Sequence, residues 1–151
     1  MISRTQLRRY GQTLAFFRTP LRLQVRTLYT ASHEWVAYDA STKVATIGIS
    51  HHAQEQFGTV VYADLPEKGE KVQVDKPCGN VESVKATSEI TSPVDGVISE
   101  VNAQVQENPS LLNDSPEKDG WLLKVRDASF EETALMTPEK YIAFVEKGEK
   151  A

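Results

Sequence analysis

The stretch that decides the fold is Val81-Glu82-Ser83-Val84-Lys85-Ala86-Thr87-Ser88-Glu89-Ile90. Two β-type runs flank a short polar tip, and a single lysine sits near the turn between them. The two β runs predict strands on either side, which leaves Lys85 projecting into solvent from a hairpin. An amine so placed is reachable by an enzyme, swings on a long side chain, and stands on a backbone rigid enough to be recognised. Acylating it removes the charge and leaves a neutral amide, so a lysine used this way is a tether, and the chemistry belongs to the attached group. From position alone, Lys85 reads as a solvated lysine like the nine others in the chain.

Outward from the hairpin, the pattern remains one of short strands. Val60–Ala63, Lys71–Val74, Val97–Val101 and Trp121–Val125 are separated by turn residues at Pro66–Gly69, Pro93–Gly96 and Asn108–Ser110. Such spacing predicts a mainly β barrel or sandwich and excludes alternating βαβ units. Upstream, Glu34–Tyr38 and Lys43–Ile49 read as a hairpin joined by Asp39-Ala40-Ser41-Thr42. Ser50 caps a short helix through Phe57 that Gly58 stops. Downstream, Ser129 with Glu132 reads as a capping box, and Thr137-Pro138 opens a C-terminal helix that Gly148 ends. A weak echo at an offset of 38 relates Gly58, Val60 and Asp64 to Gly96, Ile98 and Asn102.

Charge divides the chain of 151 residues. Residues 1–27 hold six arginines (Arg4, Arg8, Arg9, Arg18, Arg22, Arg26) and no Asp or Glu, whereas the remainder carries 11 basic and 21 acidic side chains, a net −10. The acid-free, Arg-rich segment has the composition of a mitochondrial transit peptide, which sets 1–27 aside from the fold with cleavage expected between Leu23 and Thr30. A nucleic-acid arm is the competing reading, and the acidic body argues against nucleic acid or anionic lipid as partners. No run approaches the ~20 apolar residues of a bilayer span. The lone Cys78 forms no internal bridge and no two-cysteine zinc pattern, and reads as an inert small residue beside Gly79 rather than a reactive thiol. His51 and His52 fall on different parts of one helix, and with His33 they complete no metal set. His33 reads as hairpin packing or docking surface.

Several words in this order resemble the glycine cleavage H-protein family: Ser32-His33-Glu34-Trp35-Val36, Ala45-Thr46-Ile47-Gly48-Ile49 with Ala53-Gln54, Glu82-Ser83-Val84-Lys85-Ala86, Ser92-Pro93 with Gly96, Asn108-Pro109 with Leu111, and Gly120-Trp121-Leu122. The resemblance runs from about Ser32 to Val145. It implies a flattened β-barrel of the hybrid lipoyl/biotinyl type, two antiparallel sheets with approximate twofold symmetry, in residues 28–151 with a C-terminal helical extension. It further implies lipoate amide-linked to Lys85 and no catalysis by the chain itself. Biotinyl domains flank their lysine with methionine, where this chain has Val84 and Ala86. Lipoyl domains of the 2-oxoacid dehydrogenases place Asp before it, and they lack the Ser-His-Glu-Trp hairpin and the C-terminal helices.

By the same resemblance, the carrier takes the aminomethyl group of glycine at a pyridoxal-phosphate decarboxylase. It delivers that group to a tetrahydrofolate-dependent aminomethyltransferase and then passes electrons to a flavin dihydrolipoamide dehydrogenase, in the mitochondrial matrix. A lipoyl or octanoyl transferase loads the lysine. Positions matching Ser32, Glu34 and Glu89 help line a cleft for the loaded arm, where Glu34 and Glu89 pair with its ammonium. Glu89 departs from the Asp that often stands four residues after the lysine, which alters the reach of that carboxylate. Two other classes remain open. In one, Lys85 is a free amine acting as base or Schiff-base former, which demands burial. In the other, the chain is an unmodified interaction module that would tolerate Lys85→Arg.

Overall fold

A computed structural model describes residues 25–150, with side chains through Gly148. Nine strands form two antiparallel sheets. They are β1 (Val25–Tyr29), β2 (Glu34–Asp39), β3 (Val44–Ile49), β4 (Val60–Asp64), β5 (Lys71–Val72), β6 (Pro77–Ser83), β7 (Thr87–Thr91), β8 (Asp95–Val101) and β9 (Leu123–Ser129). The larger sheet runs β1-β2-β3-β9-β8-β5 and the smaller β4-β6-β7. The helices are α1 (His51–Phe57), α2 (Ala103–Glu107), α3 (Leu111–Asp114) and α4 (Pro138–Lys150). Mainly β architecture of barrel or sandwich type is therefore what the chain adopts, with sheets of unequal size.

The core follows the strand alternation. Ala45, Ile47 and Ile49 of β3 point inward and share one buried cluster with Ile98 and Val125 of the same sheet and with Val81 and Ile90 of the smaller sheet. The echoed residues sit in corresponding places: Val60 and Ile98 are both buried, and Asp64 and Asn102 each stand where a strand ends. Ser50 caps α1 by accepting from the Ala53 amide, and Gly58 closes it at φ 76° with its amide on the Gln54 carbonyl. Trp35 lies directly across from Gly48, and its indole donates to the Pro116 carbonyl at 3.0 Å. A Cβ on Gly48 would fall 2.6 Å from that ring. Gly48→Ala is accordingly expected to cost about 1–3 kcal/mol through overpacking, read as a lowered denaturation midpoint.

Three expectations need correction. Residues 25–27, set aside with the presequence, belong to the folded body: Val25, Arg26 and Thr27 pair with Asp39, Tyr38 and Ala37, and Arg26 is ion-paired with Glu132. The Ser129/Glu132 capping box does not form. Ser129 instead ends β9 opposite Asp95, and a 3-10 turn over Glu132–Ala134 starts from Glu131 with no side-chain cap. Strand pairing and the Arg26 guanidinium have claimed the two groups the box needed. Nor does Gly148 end the last helix, which continues to Lys150 with open space around the glycine. The remaining segment, residues 1–24, lies outside the described residues.

Candidate functional site

Lys85 stands at the tip between β6 and β7, exposed along with Val84 and Ala86. The tip is built by Ser83. Its hydroxyl accepts from the Lys85 and Ala86 amides, both at 3.2 Å, and donates to the Ala86 carbonyl at 3.1 Å, while the Ser83 amide reaches the same carbonyl. All of these bonds are internal to the turn, and none uses the lysine amine. Among the described residues, Lys85 takes part in no ion pair.

The tip is also fastened from behind. The Val84 amide donates to the Thr59 carbonyl at 3.0 Å, and Asn113 of α3 bonds both the Gly58 carbonyl and the Val60 amide. The aliphatic stem of Lys85 runs beside Gly58, where a Cβ would approach its Cε to 3.4 Å. An exposed amine on a fixed turn suits acylation by an external enzyme. It does not suit a free-amine catalyst, which needs burial to shed its proton at neutral pH.

The second cluster lies further along β7. Glu34 is only 3% exposed. One of its carboxylate oxygens accepts from the Thr30 and Ser32 hydroxyls, the latter at 2.6 Å. The other accepts from the Thr91 amide and hydroxyl, each at 3.2 Å. Four donors make this a satisfied buried acid, the condition under which burying a carboxylate is tolerable. Thr91 and Glu89 share a face of β7, opposite the buried Ile90, because side chains alternate along a strand. That face leads from the tip to the cluster, spanning about 13 Å between Thr87 and Thr91 at the usual strand rise.

The structure thus brings Ser32 and Glu34 into direct contact and leaves Glu89 exposed, paired in register with Asn80 rather than joined to them. Beside Ser32 opens a cleft of about 860 Å³ between Thr30, Pro93, Phe130 and Leu135. Thr30, Thr91, Ser83 and Asn113 were missed in the sequence. Ser83 and Thr30 act on residues two to four positions along the chain, and alternation along β7 groups Thr91 with Glu89, whereas Asn113 acts through contacts distant in the chain.

The remaining candidates resolve simply. Burial, reinforced by the nearby Glu34, pushes the Cys78 thiol up to about 12, far from the reactive range. His51 pairs with Glu55 on its own helix, whereas His52 turns to His33, with ring centroids 4.6 Å apart. His33 packs within the hairpin region, its Nδ1 2.8 Å from the Tyr141 hydroxyl. Desolvation, then the neighbouring His52, lowers its affinity for a proton, opposed weakly by Glu34. No described helix is long and apolar enough to cross a membrane.

Comparison with known proteins agrees with this geometry. Residues 27–148 match the family model described as glycine cleavage H-protein. The chain is 50% identical over 124 residues to glycine cleavage system H protein 3, mitochondrial, of Arabidopsis thaliana, covering 82% of this chain and 74% of the relative. It is 45% identical over 122 residues to the glycine cleavage system H protein of Rubrobacter xylanophilus, covering 81% and 94%. A crystal structure of a glycine cleavage system H protein from Mycobacterium marinum superposes with a TM-score of 0.70 at 34% identity, covering 78% of this chain and 94% of that one. With a family match across most of the chain, these identities and the same fold, the chain belongs to the glycine cleavage H-protein family of non-catalytic lipoyl carriers.

Proposed function

We propose that this chain carries lipoate on Lys85 and serves as the mobile substrate of a glycine cleavage system. In this role it conveys the aminomethyl group from the pyridoxal-phosphate decarboxylase to the tetrahydrofolate-dependent aminomethyltransferase. It then conveys electrons to dihydrolipoamide dehydrogenase. The observation that carries the reading is the exposed lysine on a fixed turn whose hydrogen bonds leave its amine unused. When bound, lipoate supplies a disulfide that accepts the aminomethyl carbon and two electrons. The chain's part is to hold the tether out for several enzymes and to shelter the loaded end between visits.

For sheltering, Ser32 and Glu34 sit at the end of the β7 face, and Glu89 stands exposed on the way. Glu34 offers negative charge to an ammonium, and Ser32 a hydroxyl. The acidic body favours transient docking guided by charge on partners of opposite sign, with affinity falling as salt rises. The Arg-rich segment before the fold serves as a mitochondrial presequence, in keeping with the mitochondrial names of the plant relatives. Because β1 starts at Val25, a cut on the N-terminal side of that residue leaves the sheet whole.

Peptide mass spectrometry on the protein isolated from lipoate-replete cells tests this directly. A lipoyl increment on Lys85 within Val81–Glu89 is expected, with a new N-terminus before Val25. An unmodified Lys85 would return the unmodified-module reading to the front.

A further inference from the structure

His33 occupies the left-handed region at φ 74°, between Ser32 and Glu34. A non-glycine residue there is held by its surroundings rather than by its own preference. Its backbone is fixed by three bonds: the His33 amide to the Thr30 carbonyl at 3.2 Å, the Thr30 amide to the Glu34 carbonyl at 2.9 Å, and the Ser50 amide to the His33 carbonyl at 2.9 Å. Its ring packs on His52 and Phe144, and its hydrogen bond comes from the far end of the chain, from Tyr141 of α4.

The Tyr141 hydroxyl lies 2.7 Å from Ser50 Oγ and 2.8 Å from His33 Nδ1. With Ser50 Oγ accepting from the Ala53 amide, one direction that satisfies all three groups has Ser50 donate to Tyr141 and Tyr141 donate to His33 Nδ1. The polarity runs one way along the chain and strengthens each member. It requires a neutral His33 with Nε2 protonated, which agrees with the lowered proton affinity of that ring. Tyr141 is itself buried and stacked on Tyr29, with ring centroids 4.3 Å apart and planes 7° apart. The ring is thereby held still, and its hydroxyl is aimed.

We infer that Tyr141 is a positioning residue for the Ser32/Glu34 cluster. Through His33 its hydroxyl fixes the left-handed turn that orients both side chains toward Thr91. The inference rests on the reading that this cluster shelters the loaded arm, and it gives the C-terminal helix a part in that task although α4 contributes no group to the cluster.

Three variants separate the possibilities. Tyr141→Phe removes the hydroxyl and keeps the stack. Tyr29→Phe removes a hydroxyl from the same stack, the one bonded to Glu117, without touching His33. Ser32→Ala alters the cluster itself. Amide hydrogen exchange on the unlipoylated proteins is expected to be about tenfold faster at His33 and Ser50 in Tyr141→Phe and unchanged in Tyr29→Phe. After lipoylation and loading with the aminomethyl group, ammonia release without the transferase is expected to rise several-fold in Tyr141→Phe and Ser32→Ala, but not in Tyr29→Phe. Exchange and release in Tyr141→Phe that match Tyr29→Phe would overturn the inference while Ser32→Ala upholds the cleft. If Ser32→Ala leaves release unchanged, the shelter reading fails, and the exchange data still decide whether Tyr141 holds the turn.

Discussion

Lys85→Arg is expected to abolish glycine cleavage in a system reconstituted from the carrier and its three enzymes, while the fold stays intact. Arginine keeps the positive charge and much of the apolar stem that runs beside Gly58. The turn is held by Ser83, the Thr59 carbonyl and Asn113, none of which touches the lysine amine. An exposed substitution of this kind moves stability by about 0.5 kcal/mol or less, so the melting temperature should stay within about 2 °C of the parent. A guanidinium does not accept the acyl group in this linkage, so turnover should fall to the level seen without carrier. Retained turnover would show that Lys85 is not the tether. A collapsed melting temperature would show that it has a structural duty the turn geometry does not reveal.

Glu34→Ala is expected to be the most damaging single change at the cluster. It strips the acceptors from the Thr30 and Ser32 hydroxyls and from the amide and hydroxyl of Thr91. The Thr91 amide has the least freedom to find another partner. Leaving such donors without acceptors should cost about 3 kcal/mol, a fall of about 10 °C in melting temperature for a domain of this size. Glu34→Gln keeps one carbonyl oxygen, and the hydroxyls can rotate to accept from its amide, so about 1 kcal/mol is expected. The pair distinguishes hydrogen bonding from charge. If Gln restores stability yet the loaded arm still loses ammonia faster, the negative charge is what the arm needs. If Gln restores both, the hydrogen-bond frame suffices. Differential scanning calorimetry and ammonia release measure the two quantities on the same samples.

What could be read from the residues alone was whatever depends on near neighbours in the chain. The strands around Lys85 show as short β-type runs flanking a polar tip, the cap of α1 in Ser50, and its end in Gly58. Lys85 was legible because a hairpin tip is a local object. Glu34 was named only through the family words around it, and its burial was not foreseen, because three of its four donors come from Thr30 and Thr91, and Thr91 lies on another sheet. The failures share this origin. Ser129 and Glu132 have the spacing of a capping box, but Asp95 and Arg26 compete for them across the fold. Val25–Thr27 carry the composition of a leader and yet extend a sheet, since edge pairing with β2 asks only for a free strand edge and not for a particular composition. Tyr141, grouped with Ile142, Phe144 and Val145 in the C-terminal helix, reads in the sequence as one more apolar residue on a face packed against the sheet. Its hydroxyl acquires meaning only once His33 and Ser50 stand beside it.

The zipper between Tyr29 and Met136, whose amides and carbonyls bond reciprocally at 2.8 Å, joins the first described strand to the approach of the last helix. The Tyr29–Tyr141 stack and the Arg26–Glu132 pair reinforce the same seam. A polypeptide made from its N-terminus onward cannot close this seam until more than a hundred further residues have followed, and closing so long a loop is entropically late. Until then β1 has an open flank, and the Thr30–Glu34 turn waits for the tyrosine that steadies it. On the reading that this cluster shelters the arm, its frame is completed only at the end of synthesis, so a nascent or truncated chain that already displays Lys85 on its hairpin would carry a tether before it has a harbour.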